Sequence, residues 1–116
     1  MPEKFGERVR RIRKARGLGL RELGKMIGRS AGLLSRIESS DPSVTPPTEE
    51  VIKSLATALG QDFDELVTLA GRIPDDVKPA ITSDAGMPAF LRRVMAEGLS
   101  AADLDKMLDR PKGGKR

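Results

Sequence analysis

The sequence contains no cysteine, no histidine, no tryptophan and no tyrosine, and only three phenylalanines among its 116 residues. Without cysteine there is neither a disulfide framework nor a thiolate metal site. Without histidine the commonest general base and the commonest metal ligand are both missing. The scarcity of aromatics predicts a core of Leu, Ile, Val, Met and Ala. No apolar run approaches the roughly 20 residues needed to span a bilayer. The N-terminal positive charges continue through Arg16 with no apolar segment behind them, which argues against a signal peptide. The expectation is a soluble cytoplasmic protein, not associated with membranes, built as one domain or a small domain with an appendage.

Carboxylates are plentiful, as in Asp75/Asp76 and Asp103/Asp105. Acidic residues at helix starts are ordinary capping and dipole chemistry. With no His, Cys or nucleophile setting beside them, no enzyme, no metal and no cofactor is expected.

The charge that is present is unevenly distributed. Residues 1–36 hold eleven Lys/Arg and three Glu, a net of +8, whereas residues 37–110 hold seven Lys/Arg and fourteen Asp/Glu, a net of −7. The last six residues, PKGGKR, add +3. A basic front on an acidic body suits a module that meets a polyanion with one face.

Every periodic segment reads as helix. Phe5, Val9 and Ile12 form one stripe of a 3.6-residue period, with Arg8, Arg10, Arg11, Lys14 and Arg16 around it. One helix cannot aim all of these at one ligand, and Arg10 and Lys14, one turn apart, are the expected phosphate pair. Gly17 stops the first helix. A second helix spans Leu20–Ile27 and ends at Gly28, and Ser30 caps a third that runs to Ser39. The connector SDPSVTPP is too proline-rich for helix. Thr48 caps a fourth helix with Val51, Ile52, Leu55, Ala56 and Leu59 on its apolar face, closed by Gly60. Asp62 with Glu65 gives a capping-box-like start to a fifth, closed by Gly71. Beyond it, a short helical turn is predicted from Pro74 with a break at Pro79. Pro88 opens a helix that ends at Gly98, and Ser100 with Asp103 starts another. No window alternates at period 2, so no strand is predicted.

The stretch LRELGKMIGRSAGLLSRIES, with ARGLGLRELG before its turn and VIKSLATALGQDFDEL after it, resembles the phage-repressor-like, XRE-type helix-turn-helix family that includes the lambda and 434 repressors and Cro. The resemblance covers residues 4–70. It implies an all-α fold, a five-helix lambda-repressor-like DNA-binding domain with a short C-terminal helical extension, in a bacterial or phage-encoded protein. By that resemblance Gly24 lies where the two helices approach, Gly28 makes the turn, and Leu23, Ile27, Leu34 and Ile37 face the core. It also implies that Arg13, near the end of helix 1, pairs with Glu38 after the recognition helix as a structural tie.

Carried over position by position, the family's DNA-facing roles fall on Ser30, Ala31, Gly32, Ser35 and Arg36. Ser39 is placed to reach a phosphate. Arg36 is the strongest base-reading candidate, because Arg chelates guanine O6 and N7. Two positions depart from the family's pattern. Leu20 stands where a phosphate-binding Gln is common, leaving that contact to the neighbouring Arg21, while Arg21, Lys25 and Arg29 together compensate through the backbone for what the front of helix 3 does not read. Ala31 stands where a long polar residue is common, so direct readout from the front of the helix is thin and DNA shape carries part of the specificity.

Three segments are expected: a helix-turn-helix domain over 1–71, a helical extension over 72–110, and a disordered basic tail over 111–116. In the extension, Phe90, Leu91, Val94 and Met95 make one apolar stripe, and Leu99, Leu104, Met107 and Leu108 another. Short amphipathic helices cannot cover such faces alone. A homodimer interface formed by Phe90, Leu91, Val94, Met95, Leu104, Met107 and Leu108 is the functional reading, and capping of the monomer's own core the bland one. The GRIPDDV-type extension resembles, more loosely, that of regulators cleaved by a zinc metalloprotease, which would make FLRRVMAE a candidate cleavage helix. The expected function is a sequence-specific transcriptional repressor on a pseudo-palindromic operator in double-stranded DNA. The alternative is an antitoxin that autoregulates its operon through the same motif while its C-terminal helices mask a toxin partner.

Overall fold

The computed structural model describes residues 3–39 and 47–109. All regular structure among them is helical, with no strand. The proline-rich connector over 40–46 and the basic tail over 111–116 lie outside the described residues. No helix among the described residues is long and apolar enough to cross a membrane. The chain divides into two compact units, Met1–Asp75 and Asp76–Arg116.

The first unit carries α1 (Phe5–Ala15), α2 (Leu20–Ile27), α3 (Ala31–Ser39), α4 (Glu49–Leu59) and α5 (Phe63–Leu69). Its core is aliphatic apart from Phe5, and none of the described methionines that the sequence reading allowed for is buried in it. Phe5, Val9 and Ile12 of α1 and Leu23 of α2 meet Leu34 of α3, five residues of α4 from Val51 to Leu59, and Leu66, Val67 and Ala70 around α5. Ile27 and Ile37 are partly buried against that cluster. Helix α4 is the central element, packed against α1, α2 and α5, while α3 rests on α1 and α2.

Local chemistry starts these helices where the sequence predicts. Thr48 Oγ1 accepts the Val51 N–H at 3.2 Å, and Asp62 accepts the Glu65 N–H at 3.0 Å. The return arm of a capping box does not accompany the Asp62 cap, and the Glu65 carboxylate lies 3.9 Å from Arg8 Nη1. Two helix starts use a device the sequence reading did not name. Glu7 accepts the Lys4 N–H at 2.8 Å and Glu22 the Gly19 N–H at 2.9 Å, each from the third position of its helix.

Gly6, in the first turn of α1, is buried. A Cβ built there would lie 2.5 Å from the Ile37 carbonyl oxygen and 2.6 Å from that of Glu38. The absent side chain therefore lets α1 pass directly over the C-terminal end of α3. The obstacle is backbone, which cannot rotate away as a side-chain tip could.

The second unit holds α6 (Lys78–Thr82), α7 (Met87–Ala96) and α8 (Ala101–Leu108). None of its described residues is buried. Ser100 and Asp103 form a complete capping box: Ser100 Oγ accepts the Asp103 N–H at 3.2 Å and the Asp103 carboxylate accepts the Ser100 N–H at 2.8 Å. The backbone and hydroxyl hydrogen bonds from Ser100 hold the Asp103 carboxyl below the usual carboxylate range. One expectation is corrected here. The helix predicted from Pro74 opens at Lys78, after a turn over 75–77, and Pro79 sits in its first turn instead of breaking it. A proline there loses no hydrogen bond, since the first N–H groups of a helix have no intrahelical acceptor.

Gly6→Val is expected to destabilise the fold by about 2 kcal/mol or more, as an overpacked contact. Gly32→Ala, where a Cβ meets nothing closer than Ser30 Oγ at 3.9 Å, is the matched control. It should be neutral or stabilising by up to about 1 kcal/mol through helix propensity. Urea unfolding followed by far-ultraviolet circular dichroism, which needs no tryptophan, measures both; equal midpoints for the two variants would refute the close approach.

Candidate nucleic-acid interface

The geometry between α2 and α3 depends on two glycines with different roles. Gly28 ends α2 in the left-handed conformation, φ 69° and ψ 35°, which side-chain-bearing residues adopt at a cost. The Arg29 N–H then returns to the Gly24 carbonyl at 2.9 Å. Gly24 is buried, and a Cβ on it would sit 2.5 Å from the Arg29 carbonyl oxygen. Gly28 turns the chain, and Gly24 makes room for what comes back. Ser30 Oγ accepts the Leu33 N–H at 3.1 Å and so starts α3. Leu23 and Leu34, both fully buried, anchor the two helices to the core.

Arg13 fixes the other end of α3. Its Nε and Nη2 donate to Glu38 Oε2 and Oε1 at 2.7 and 2.9 Å, and its Nη1 donates to the Leu18 carbonyl at 2.8 Å. The two side chains are only 10% and 7% exposed. The hydrogen bonds to Glu38 raise the guanidinium's already high pKa further. The tie expected between Arg13 and Glu38 is present, and it also holds the α1–α2 link.

What α3 offers to solvent is set by these two anchors. Gly32, Ser35, Arg36 and Ser39 are exposed and Ala31 half-exposed. Arg36 has no partner among the described residues. The Ser39 hydroxyl, expected to reach outward, donates to the Ser35 carbonyl at 2.9 Å.

The basic residues divide sharply. Glu3 accepts from Arg8 Nε at 2.8 Å and from Arg11 Nε and Nη2 at 2.6 and 3.0 Å. Those bonds, Arg11's first, hold the Glu3 carboxyl down at about 2. Arg16 lies over Gly60, where a Cβ would meet its Nη2 at 2.6 Å. Arg29 pairs with Glu50 at 2.5 Å. Arg10, Lys14, Arg21, Lys25 and Arg36 are exposed and have no partner among the described residues.

The model of the helix-turn-helix domain family matches residues 4–69, more than half of the chain. The chain belongs to the helix-turn-helix family. It is similar to two proteins of Bacillus subtilis (strain 168). The uncharacterized HTH-type transcriptional regulator RghRB is 32% identical over 66% of this chain and 55% of its own length. The HTH-type transcriptional repressor RghR is 38% identical over 63% of this chain and 53% of its own length. The chain thus spans about half the length of the curated relatives it matches. No solved structure gives a significant match.

Within this helix-turn-helix domain, sequence reasoning missed the residues whose role depends on a distant partner. Gly6 shows in the sequence only as a glycine inside an otherwise regular helical stripe, which is a signal of close packing. Glu3 and Glu50 carry no local signal, since the pairs Arg11–Glu3 and Arg29–Glu50 join separate turns or separate helices. Lys53 above the Phe63 ring, 5.6 Å from its centroid, links α4 to α5 in the same unannounced way.

Arg13→Ala leaves the Glu38 carboxyl group enclosed without its partner, and is expected to lose about 3–5 kcal/mol of stability. Replacing both residues together, Arg13→Met with Glu38→Leu, should recover most of that loss. Denaturant midpoints of the three variants against the parent check this. A double variant no more stable than Arg13→Ala would mean that the Leu18 contact, not the ion pair, dominates.

Proposed function

We propose that this chain is a sequence-specific DNA-binding transcriptional regulator, a repressor that occupies a pseudo-palindromic operator as a homodimer. The observation that carries the reading is α3 itself. It is clamped by the Gly24–Gly28 turn at one end and by Arg13–Glu38 at the other, with Gly32, Ser35 and Arg36 left to solvent. That RghR is named a transcriptional repressor supports the direction of regulation.

On this reading α3 enters the major groove while α2 lies across the phosphate backbone. Arg10, Lys14, Arg21, Lys25 and Arg29 supply phosphate contacts, and with them an affinity that falls with salt. Arg36 reads guanine through O6 and N7. Ser30 and Ser35 add single hydroxyl contacts, Ser39 does so only by giving up its bond to the Ser35 carbonyl, and Ala31 and Gly32 offer a thymine-methyl contact or close approach. With so few base-reading groups, sequence-dependent DNA shape carries part of the discrimination. Repression follows from occupying the polymerase's site and needs no chemistry from the protein.

The second unit takes the dimer role. Phe90 and Met107 are half-exposed, and Met95 and Leu108 are 78% and 74% exposed. Leu91, Val94 and Leu104 complete the same stripes. Dimerisation would join two half-sites about one helical turn apart.

Arg36→Ala is expected to weaken binding to the operator, once genomic footprinting has identified it, by about 1–3 kcal/mol and to relax preference at a single base pair. Unchanged affinity and unchanged preference would remove Arg36 from the reading face. Deleting residues 87–116 is expected to leave a folded first unit that sediments as a monomer. A dimer that survives the deletion would move the interface into residues 1–86.

A further inference from the structure

Arg29 stands between the left-handed Gly28 and the Ser30 cap, at the entrance of α3, and its Nη2 lies 2.5 Å from Oε1 of Glu50 in the first turn of α4. The two side chains are 37% and 79% exposed. The sequence between Arg36 and Lys53 contains no Lys or Arg, and its acidic residues are Glu38, Asp41, Glu49 and Glu50. Two of them have other work: Glu38 is enclosed with Arg13, and Glu49 accepts the Asp75 N–H at 2.8 Å. Asp41 lies outside the described residues. Glu50 is the remaining described carboxylate of this stretch, and it holds a solvent-exposed cation at the entrance of α3.

We propose that Glu50 is an intramolecular competitor for the phosphate that Arg29 would otherwise contact, and so sets how strongly the module binds DNA of any sequence. This rests on the DNA-binding reading. A phosphate and a carboxylate offer the guanidinium the same kind of oxygen acceptor. Binding a phosphate through Arg29 therefore exchanges one charged partner for another instead of adding a contact. The exchange also leaves Glu50 bare near a polyanion. Non-specific association, which depends almost wholly on such charge contacts, is held down accordingly. The pair is open to solvent, so the exchange is accessible without moving the core.

The test is a four-protein cycle of the full chain, Glu50→Gln, Arg29→Gln and the double variant. Each is titrated against a fluorescently labelled random-sequence DNA duplex at several salt concentrations, with circular dichroism confirming the fold. Glu50→Gln is expected to bind about two- to fivefold tighter at low salt, the range that one exposed ion pair spans. Its log affinity should fall more steeply with log salt, by up to about 0.9 in slope. The same substitution made in the Arg29→Gln background should gain distinctly less. A gain as large or larger without Arg29 would mean simple charge repulsion, and no gain at all would mean no competition; either overturns the proposal while the DNA reading stands. Failure of all four proteins to bind the duplex overturns both.

Discussion

Withdrawing a guanidinium and a carboxylate from water costs several kcal/mol for each ion, and their attraction offsets this only with close geometry and satisfied remaining donors. Arg13 and Glu38 meet those conditions through two parallel bonds at 2.7 and 2.9 Å and a third donor bound to the Leu18 carbonyl. Such a pair contributes little net stability over an apolar substitute, but it tolerates few alternative arrangements. One side chain on α1 thereby fixes the end of α3 and the entry to α2. The close passage of Gly6 over Ile37 and Glu38 depends on the same registration, because a shifted α3 would drive its carbonyls into α1. Everything α3 presents outward is defined relative to this junction.

The same electrostatics limits what the basic front can do. Eleven cations in the first 36 residues suggest a broad attractive field. Arg8 and Arg11 are bound to Glu3, Arg13 to Glu38 and Arg29 to Glu50. Arg16 covers Gly60. The cations without a partner among the described residues are fewer, and they are distributed over α1, α2 and α3 instead of concentrated on α1. A formal charge count therefore overstates the number of contacts and misplaces their centre. The long-range potential survives pairing only in part, since each bound carboxylate subtracts its own field.

Local signals in this sequence were reliable where the interaction they encode is itself local. Ser30, Thr48, Asp62 and Ser100 each cap the helix they precede, because a side-chain oxygen and an N–H three residues on need no third party. The apolar stripes of α1 and α4 gave the core for the same reason. Arg13–Glu38 and Gly24 were legible only through the family resemblance, as each acts on a partner in another helix. Glu3 and Glu50 were not legible at all, since nothing near them in sequence announces the atom they meet, and Gly6 showed only as a glycine within a helical stripe, with no sign of the carbonyls it passes. Pro79 failed differently: the same ring ends a helix from its interior and begins one from its first turn. Which of these applies depends on where the helix starts, and that start was misplaced by four residues, at Pro74 instead of Lys78.

The proposed reading face, thin as it is, and the apolar second unit fit one requirement. A helix that offers Ala31 and Gly32 where a bidentate amide could stand has few base-pair preferences to add, and each good bidentate contact is worth only about 1–3 kcal/mol. Two copies held by one interface add their preferences, so a modest reader becomes selective when the second half-site must also fit. Helices α7 and α8, at ten and eight residues, are below the length at which isolated helices hold in water, roughly 12–15 residues. Their apolar stripes are thus better explained as surfaces that require covering than as decoration. In the proposed dimer, covering them and doubling the proposed reading face are the same event.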